Sequence, residues 1–238
     1  MHGGLALECV LVFVKICGIT NEADALIAVA MGADAVGFIF AAGSSRQIAP
    51  ARAGDIAKRL PPDILTVGVF RNHAPSKVVE IMNRQGLGAA QLHGDESPED
   101  TLYVQERVPR TMKVFVAGSD KLLSARKWGT DPILIDAPKA GDTSALVPGE
   151  PYDFALARKA PAGMHVVLAG GLHPGNVADA ILRSRAWGVD VASGVESEPG
   201  KKDPKLVAAF VKNAKSVVLP DCEEPASGPY DWESEADL

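Results

Sequence analysis

The stretch "KICGITNEADALIAVAMGADAVGFIFAAGSSR", residues 15–46, decides how the rest of the chain is read. It begins inside an apolar run, 10–17, that stops at Gly18. It continues through 21–33, where Ala25, Ala28, Val29 and Gly32 fall at helical spacing and Gly32 is the predicted stop. A second apolar run, 35–40, ends in a loop carrying Ser44, Ser45 and Arg46. Neither run alternates apolar with polar residues, which is the pattern of strands covered on both faces. The unit is therefore strand, helix, strand, in a parallel sheet with helices outside.

The unit recurs along the chain. Further short apolar runs at 65–70, 89–92, 112–116, 133–136, 166–169 and 189–192 bring the predicted strands to eight. Each is followed by a loop rich in Gly, Pro, Ser or Asp and then by a longer segment with helical periodicity. In "SKVVEIMNRQG", 76–86, Ser76 is expected to cap a helix and Gly86 to stop it; "HPGNVADAILRSRAWG", 173–188, has an early Pro and a terminal Gly. Eight such units match a closed (β/α)8 TIM barrel. A doubly wound open sheet would give much of the same pattern, although no GxGxxG follows the first strand.

The chain has 238 residues, 47% of them hydrophobic, enough for a sizeable core in one large barrel or two small domains. No internal segment has linker composition, so one domain over 10–218 is expected, preceded by a short extension, 1–9. The tail, 220–238, is acidic, carries prolines without an amphipathic period, and reads as disordered. A formal net charge of −6 gives no electrostatic case for nucleic acid or an anionic membrane, so an anionic ligand needs local donors. Cys9, Cys17 and Cys222 show no CxxC, which argues against a disulfide framework or structural zinc and fits a reducing cytoplasm. The N-terminal apolar run is about half a membrane span, contains Glu8 and lacks a basic flank, so it reads as a strand in a soluble protein.

In a parallel barrel the C-terminal strand ends converge on one face and build the active site. At those ends stand Lys15 and Cys17, Arg46, Gln91 and His93, Asp136, Gly170 and Gly171, and Asp190 with Ser193 and Gly194. Cys17 is either a small core residue or a base, if a nearby cation lowers its pKa; Lys15, two residues earlier on the same strand face, is such a cation or else snorkels or pairs with a carboxylate. Asp136 closes "PILIDAP", where desolvation disfavours the charged carboxylate and suits a general acid; a turn cap is the alternative. Paired glycine loops after the seventh and eighth strands resemble a barrel phosphate site, provided that Glu196 points away from the anion. Arg46 can grip a carboxylate with two parallel hydrogen bonds or simply be solvated. His93 can bond a ligand or polarise a neighbour, and with Asp95 it lacks a third group to make a metal site.

Taken together, "KICGIT", "GADAVGFIF" followed by "SSR", "VGVF", "QLHGDE", "LIDA", "LAGGLHPGNV" and "VDVASGVESEPGKKD" resemble, in order and spacing, the phosphoribosylanthranilate isomerase family of tryptophan biosynthesis. The resemblance covers 12–218. It implies a cytoplasmic TIM-barrel enzyme that needs neither cofactor nor metal. The implied reaction is an Amadori rearrangement of N-(5-phosphoribosyl)anthranilate, an aminoaldose, to 1-(2-carboxyphenylamino)-1-deoxyribulose 5-phosphate. It further implies Asp136 as general acid and Cys17 as general base, with Arg46 on the anthranilate carboxylate. Gly170, Gly171, Ser193 and Gly194 would bind phosphate, and Lys15, Gln91, His93 and Asp190 would line the pocket. The expected partner is a small phosphorylated aminosugar, with no nucleic acid or membrane, and the chain is expected to be a monomer or a homodimer. One departure stands out: after Asp136 the sequence "PKAGDTSALVPGEPYDFALA" lacks the family's close-set glycines, with only Gly141 and Gly149 in its flanks, which bears on rate and substrate range. A related barrel isomerase acting on another aminosugar is the competing enzyme reading. An inactive phosphosugar-binding subunit is the competing non-enzyme reading, against which the presence of both Cys17 and Asp136 argues.

Overall fold

Eight parallel strands close on themselves in chain order, β1 (Phe13–Cys17), β2 (Ala35–Ile39), β3 (Leu65–Phe70), β4 (Ala89–Leu92), β5 (Thr111–Val116), β6 (Ile133–Asp136), β7 (Val166–Leu168) and β8 (Gly188–Val191), with β8 paired to β1. The computed structural model describes residues 12–137 and 153–219. The open-sheet alternative is thereby excluded, and the chain is a (β/α)8 barrel. The expected extension 1–9, the tail 220–238 and most of the altered loop after Asp136 lie outside the described residues.

Strand parity sorts every side chain to one of two cores. Val14, Ile16, Val36, Phe38, Leu92, Phe115, Ile133 and Ile135 face outward into the layer shared with the helices. Phe13, Ala35, Leu65, Val67, Ala89, Val114, Leu134 and Val167 face inward and fill the lumen. Because successive side chains on a strand point to opposite faces, the inward set continues toward the C-terminal mouth as Lys15 and Cys17 on β1, Gln91 on β4, Asp136 on β6 and Asp190 on β8. The polar residues singled out from the sequence thus share one parity. Phe13 closes the far end of the lumen, stacked on Trp187 with ring centroids 4.9 Å apart.

Helices α1 (Glu22–Ala30), α2 (Pro50–Ala57), α3 (Pro75–Gln85), α4 (Pro98–Gln105), α5 (Asp120–Leu123), α6 (Val177–Ser184) and α7 (Pro204–Lys215) form the outer layer. In α7, Val207, Phe210, Val211 and Ala214 are the buried stripe, at i, i+3, i+4 and i+7. Three expectations need correction. Helix α3 starts at Pro75 with Ala74 as its cap, because proline's fixed φ suits the first helical position; Ser76 is inside the helix and caps nothing. Helix α6 ends at Arg185 in the left-handed conformation, and the terminal Gly188 belongs to β8, where an added Cβ would lie 3.0 Å from Phe13. The crossover from β5 is reduced to α5 and a 3-10 turn, Ala125–Trp128, and the described part of the one from β6 is a 3-10 segment, Phe154–Lys159. A short antiparallel ribbon, β9 (Glu196–Glu198) with β10 (Lys201–Lys202), was not anticipated; it folds the loop after β8 back over the mouth.

Candidate active site

The β1 strand supplies the most deeply buried charge. Lys15 is fully buried, and its Nζ donates to Asp190 Oδ1 at 2.9 Å across the β1–β8 pairing, in which Lys15 and Asp190 are register partners. Both readings of Lys15 are met: it pairs with a carboxylate and lies beside the thiol. Burial pulls the ammonium toward neutrality, but Asp190 and the Cys17 sulfur outweigh it and leave its pKa above the ordinary lysine range. Cys17, the next inward residue, lies beside the same ammonium. Burial pushes the thiol up, Lys15 works against it, and burial wins. Lys15 thus lowers the thiol as expected, but not enough: burial outweighs it, and Asp190 opposes a second anion.

Room for this pair comes from β2. Gly37 is the register partner of Cys17, and a Cβ built on it would meet Cys17 Sγ at 2.8 Å and Lys15 Cε and Nζ at 3.1 Å. Sequence reading missed Gly37, although a glycine in a strand interior commonly marks a close approach.

Across the lumen on β6, Asp136 is not in the dry setting that "PILIDAP" suggests. Its side chain is 30% exposed; Oδ1 accepts the Ala137 N–H at 2.8 Å and Oδ2 lies 3.1 Å from His93 Nε2. The structure shows the turn-cap reading, a carboxylate that holds the following turn, and leaves its other oxygen at the mouth beside His93. Gly170 packs against this turn: an added Cβ would lie 2.4 Å from Ala137 Cβ and 2.7 Å from Asp136 Oδ1. Gln91 is buried, with Oε1 lacking a hydrogen-bond partner among the described residues.

The glycine loops after β7 and β8 touch. A Cβ on Gly194 would lie 1.8 Å from the Leu172 carbonyl oxygen, so the backbones meet at a distance only glycine allows. Gly170 and Gly171 both take positive φ, +85° and +68°. Asn176 fixes their turn, accepting from His173 N at 2.8 Å and donating to the Gly171 carbonyl at 3.0 Å.

Glu196, the carboxylate that would oppose an anion, is paired with two cations. Its Oε1 accepts from Arg46 Nε and Lys202 Nζ, each at 2.8 Å, and its Oε2 accepts from Arg46 Nη2 at 2.7 Å. Burial would raise this carboxyl, but the two cations hold it below the usual range. Arg46 is therefore neither solvated nor a free fork: one edge is occupied by Glu196, and of its five N–H donors three remain. Its stem lies over Gly18, where an added Cβ would be 2.6 Å from Arg46 Cδ. Lys202, also missed in the sequence, donates besides to the Ala192 carbonyl at 3.0 Å. Among the described residues no group of three or more His, Cys, Asp or Glu is placed to hold a metal ion, and no helix is long and apolar enough to cross a membrane.

A closed parallel barrel with ionisable groups gathered at the C-terminal ends of β1, β4, β6 and β8 is the architecture of a TIM-barrel enzyme. Residues 14–213 match the family model described as N-(5'phosphoribosyl)anthranilate (PRA) isomerase, and the chain belongs to that family. The N-(5'-phosphoribosyl)anthranilate isomerase of Trichlorobacter lovleyi is 42% identical over 207 residues, 86% of this chain and 98% of the relative. A crystal structure of phosphoribosyl anthranilate isomerase in complex with reduced 1-(o-carboxyphenylamino)-1-deoxyribulose 5-phosphate is 39% identical, with TM-score 0.75, covering 87% of this chain and all of that one. A structure of mutually generated monomers of the dimeric enzyme from Thermotoga maritima is also 39% identical, with TM-score 0.72 and the same coverage of 87% and 100%.

Proposed function

We propose that the mouth of this barrel isomerises N-(5-phosphoribosyl)anthranilate to 1-(2-carboxyphenylamino)-1-deoxyribulose 5-phosphate, as expected of a family member, with Asp136 as acid and Cys17 as base. The observation that carries the assignment is the placement of both groups on inward positions at the mouth, Cys17 on β1 beside the Lys15 ammonium and Asp136 on β6 within reach of solvent. Ring opening needs a proton on the furanose oxygen; Asp136 gives it, and the amine nitrogen lone pair closes a C1=N Schiff base as the C1–O bond breaks. The iminium makes the C2 proton acidic, and the Cys17 thiolate removes it to give an enolamine, which tautomerises to the aminoketone. A raised thiol pKa makes the thiolate scarce but a stronger base, and Lys15 is the group placed to stabilise it.

Substrate contacts follow the same map. Gly171, Ser193 and Gly194 offer backbone donors to the phosphate where the β7 and β8 loops meet. Arg46 offers the donors that Glu196 leaves unused to the anthranilate carboxylate. Gln91 and Asp190 complete the wall. The catalytic unit spans 10–218 in the cytoplasm, as a monomer or homodimer; a relative described as dimeric but obtainable as monomers accommodates either.

The test is loss of anthranilate-type fluorescence when the purified protein meets freshly generated phosphoribosylanthranilate, run beside Cys17→Ser and Asp136→Asn. Each variant is expected to lose about 10²- to 10⁴-fold in kcat with little change in KM. No turnover by the parent would overturn the reaction, and near-normal kcat in either variant would remove that residue from its role.

A further inference from the structure

A charged pair, Lys113 with Glu96, is buried outside the lumen. Lys113 lies on β5 between inward-facing neighbours, so its side chain is on the helix side of the barrel, 3% exposed, where an aliphatic residue would pack at no electrostatic cost. Its Nζ donates to Glu96 Oε2 at 2.9 Å and to the carbonyls of Leu92 at 3.2 Å and Gly94 at 2.7 Å. Those two carbonyls flank His93. Glu96 grips the same turn from its other side, accepting the Gly94 N–H at 2.9 Å on Oε2 and the Asn72 N–H at 2.8 Å on Oε1. Asn72 in turn holds the left-handed conformation and accepts the Asp95 N–H on Oδ1 at 2.6 Å. Burial pulls Lys113 below the ordinary lysine range, whereas Lys113 and the surrounding backbone donors hold Glu96 below the usual carboxylate range despite its burial.

We infer that Lys113 is a positioning residue for the reaction: with Glu96 it clamps the backbone on both sides of His93 and holds the imidazole 3.1 Å from Asp136. The inference rests on the reading of Asp136 as the acid. It acts through geometry alone, since Lys113 touches neither Asp136 nor the lumen. Releasing the clamp frees the loop after β4 to shift, and a displacement of about 1 Å at a reacting group costs roughly 10²-fold in rate.

A double-mutant cycle on the full chain tests this. Lys113→Met is expected to lower kcat by about 10- to 100-fold with KM within about threefold. In a His93→Ala background the same substitution is expected to change kcat by less than about twofold, because the group it positions is gone. Lys113→Met/Glu96→Gln, which leaves no lone buried charge, should reproduce the loss if Lys113→Met alone folds poorly, and Lys113→Arg should restore part of it. Independently of turnover, the His93 imidazole resonances, identified by their absence in His93→Ala, are expected to shift in Lys113→Met/Glu96→Gln. Unshifted His93 resonances would overturn the inference, as would kcat effects that multiply fully in the double mutant or a fall in Tm with kcat unchanged. A parent without turnover would defeat the proposed reaction and leave the resonance measurement to judge the clamp.

Discussion

Replacing Gly37 by Ala tests the seat of the thiol with a single methyl group. The new Cβ would stand 2.8 Å from Cys17 Sγ and 3.1 Å from both Cε and Nζ of Lys15. Non-bonded heavy atoms rest at about 3.5–4.0 Å, so the sulfur must give by about 1 Å. Neither neighbour can swing out to solvent, since Lys15 is buried against Asp190 and Cys17 is buried above it. Overpacking of this kind costs about 1–3 kcal/mol. At roughly 2–4 °C of Tm per kcal/mol for a chain of this size, the melt should fall by about 2–12 °C. Moving the proposed base by about 1 Å should lower kcat by roughly 10²-fold, with KM changed far less because the loops proposed to bind phosphate are untouched. The fluorescence assay gives kcat and KM, and a thermal melt gives Tm. In a Cys17→Ala background, most of the Tm loss should vanish because the closest overlap is removed. Gly37→Ala with parental kcat and Tm would refute the packing argument, and a Tm loss unchanged by Cys17→Ala would place the strain elsewhere.

Three further outcomes are expected. Gly194→Ala forces the β7 and β8 loops apart at Leu172, so KM should rise by about tenfold or more while inorganic phosphate becomes a weaker competitive inhibitor; unchanged inhibition would separate that contact from anion binding. In a Cys9→Ser/Cys222→Ser background, alkylation of Cys17 followed by mass spectrometry should have its midpoint above the ordinary thiol value of 9.0, and Lys15→Met should move it higher, because Lys15 is the main group opposing burial. Asp131 raises the His165 pKa above the ordinary 6.5, through a hydrogen bond to Nδ1 at 3.1 Å. A base whose folded pKa is raised contributes stability that is complete below its unfolded value and lost as pH rises through the folded one. Asp131→Asn should therefore lower Tm more at pH 5.5 than at pH 8.5, and an equal loss at both would exclude the charge contribution.

The strands were legible because burial on both faces leaves uninterrupted apolar runs, and their ends were legible because a charged residue closing such a run has few places to be except the mouth. Lys15, Cys17, Asp136 and Asp190 were found that way. Helix ends were less so: Ser76 and Pro75 are both start signals, and only the backbone decides that proline takes the first helical position. The direction of Glu196 is set by Arg46, 150 residues away, and the partnership of Lys113 with Glu96 depends on the loop after β4 folding over β5. No local pattern encodes either contact. Gly37 carried a signal, a glycine inside a strand, but not the identity of what approaches it.

The pairing of β8 with β1 has a kinetic consequence. Lys15 and Asp190 are 175 residues apart, Thr20 and Gly200 are joined over 180, and Asp24 receives the Lys202 N–H over 178. These contacts straddle the seam where the first and last strands meet, so none can form until the chain has closed its longest loop, the step with the largest entropy to overcome. Catalytic competence therefore requires a closed seam. A refolded chain in which β8 has not paired with β1 lacks the Lys15–Asp190 contact, so turnover reports on that pairing as bulk spectroscopic signals do not.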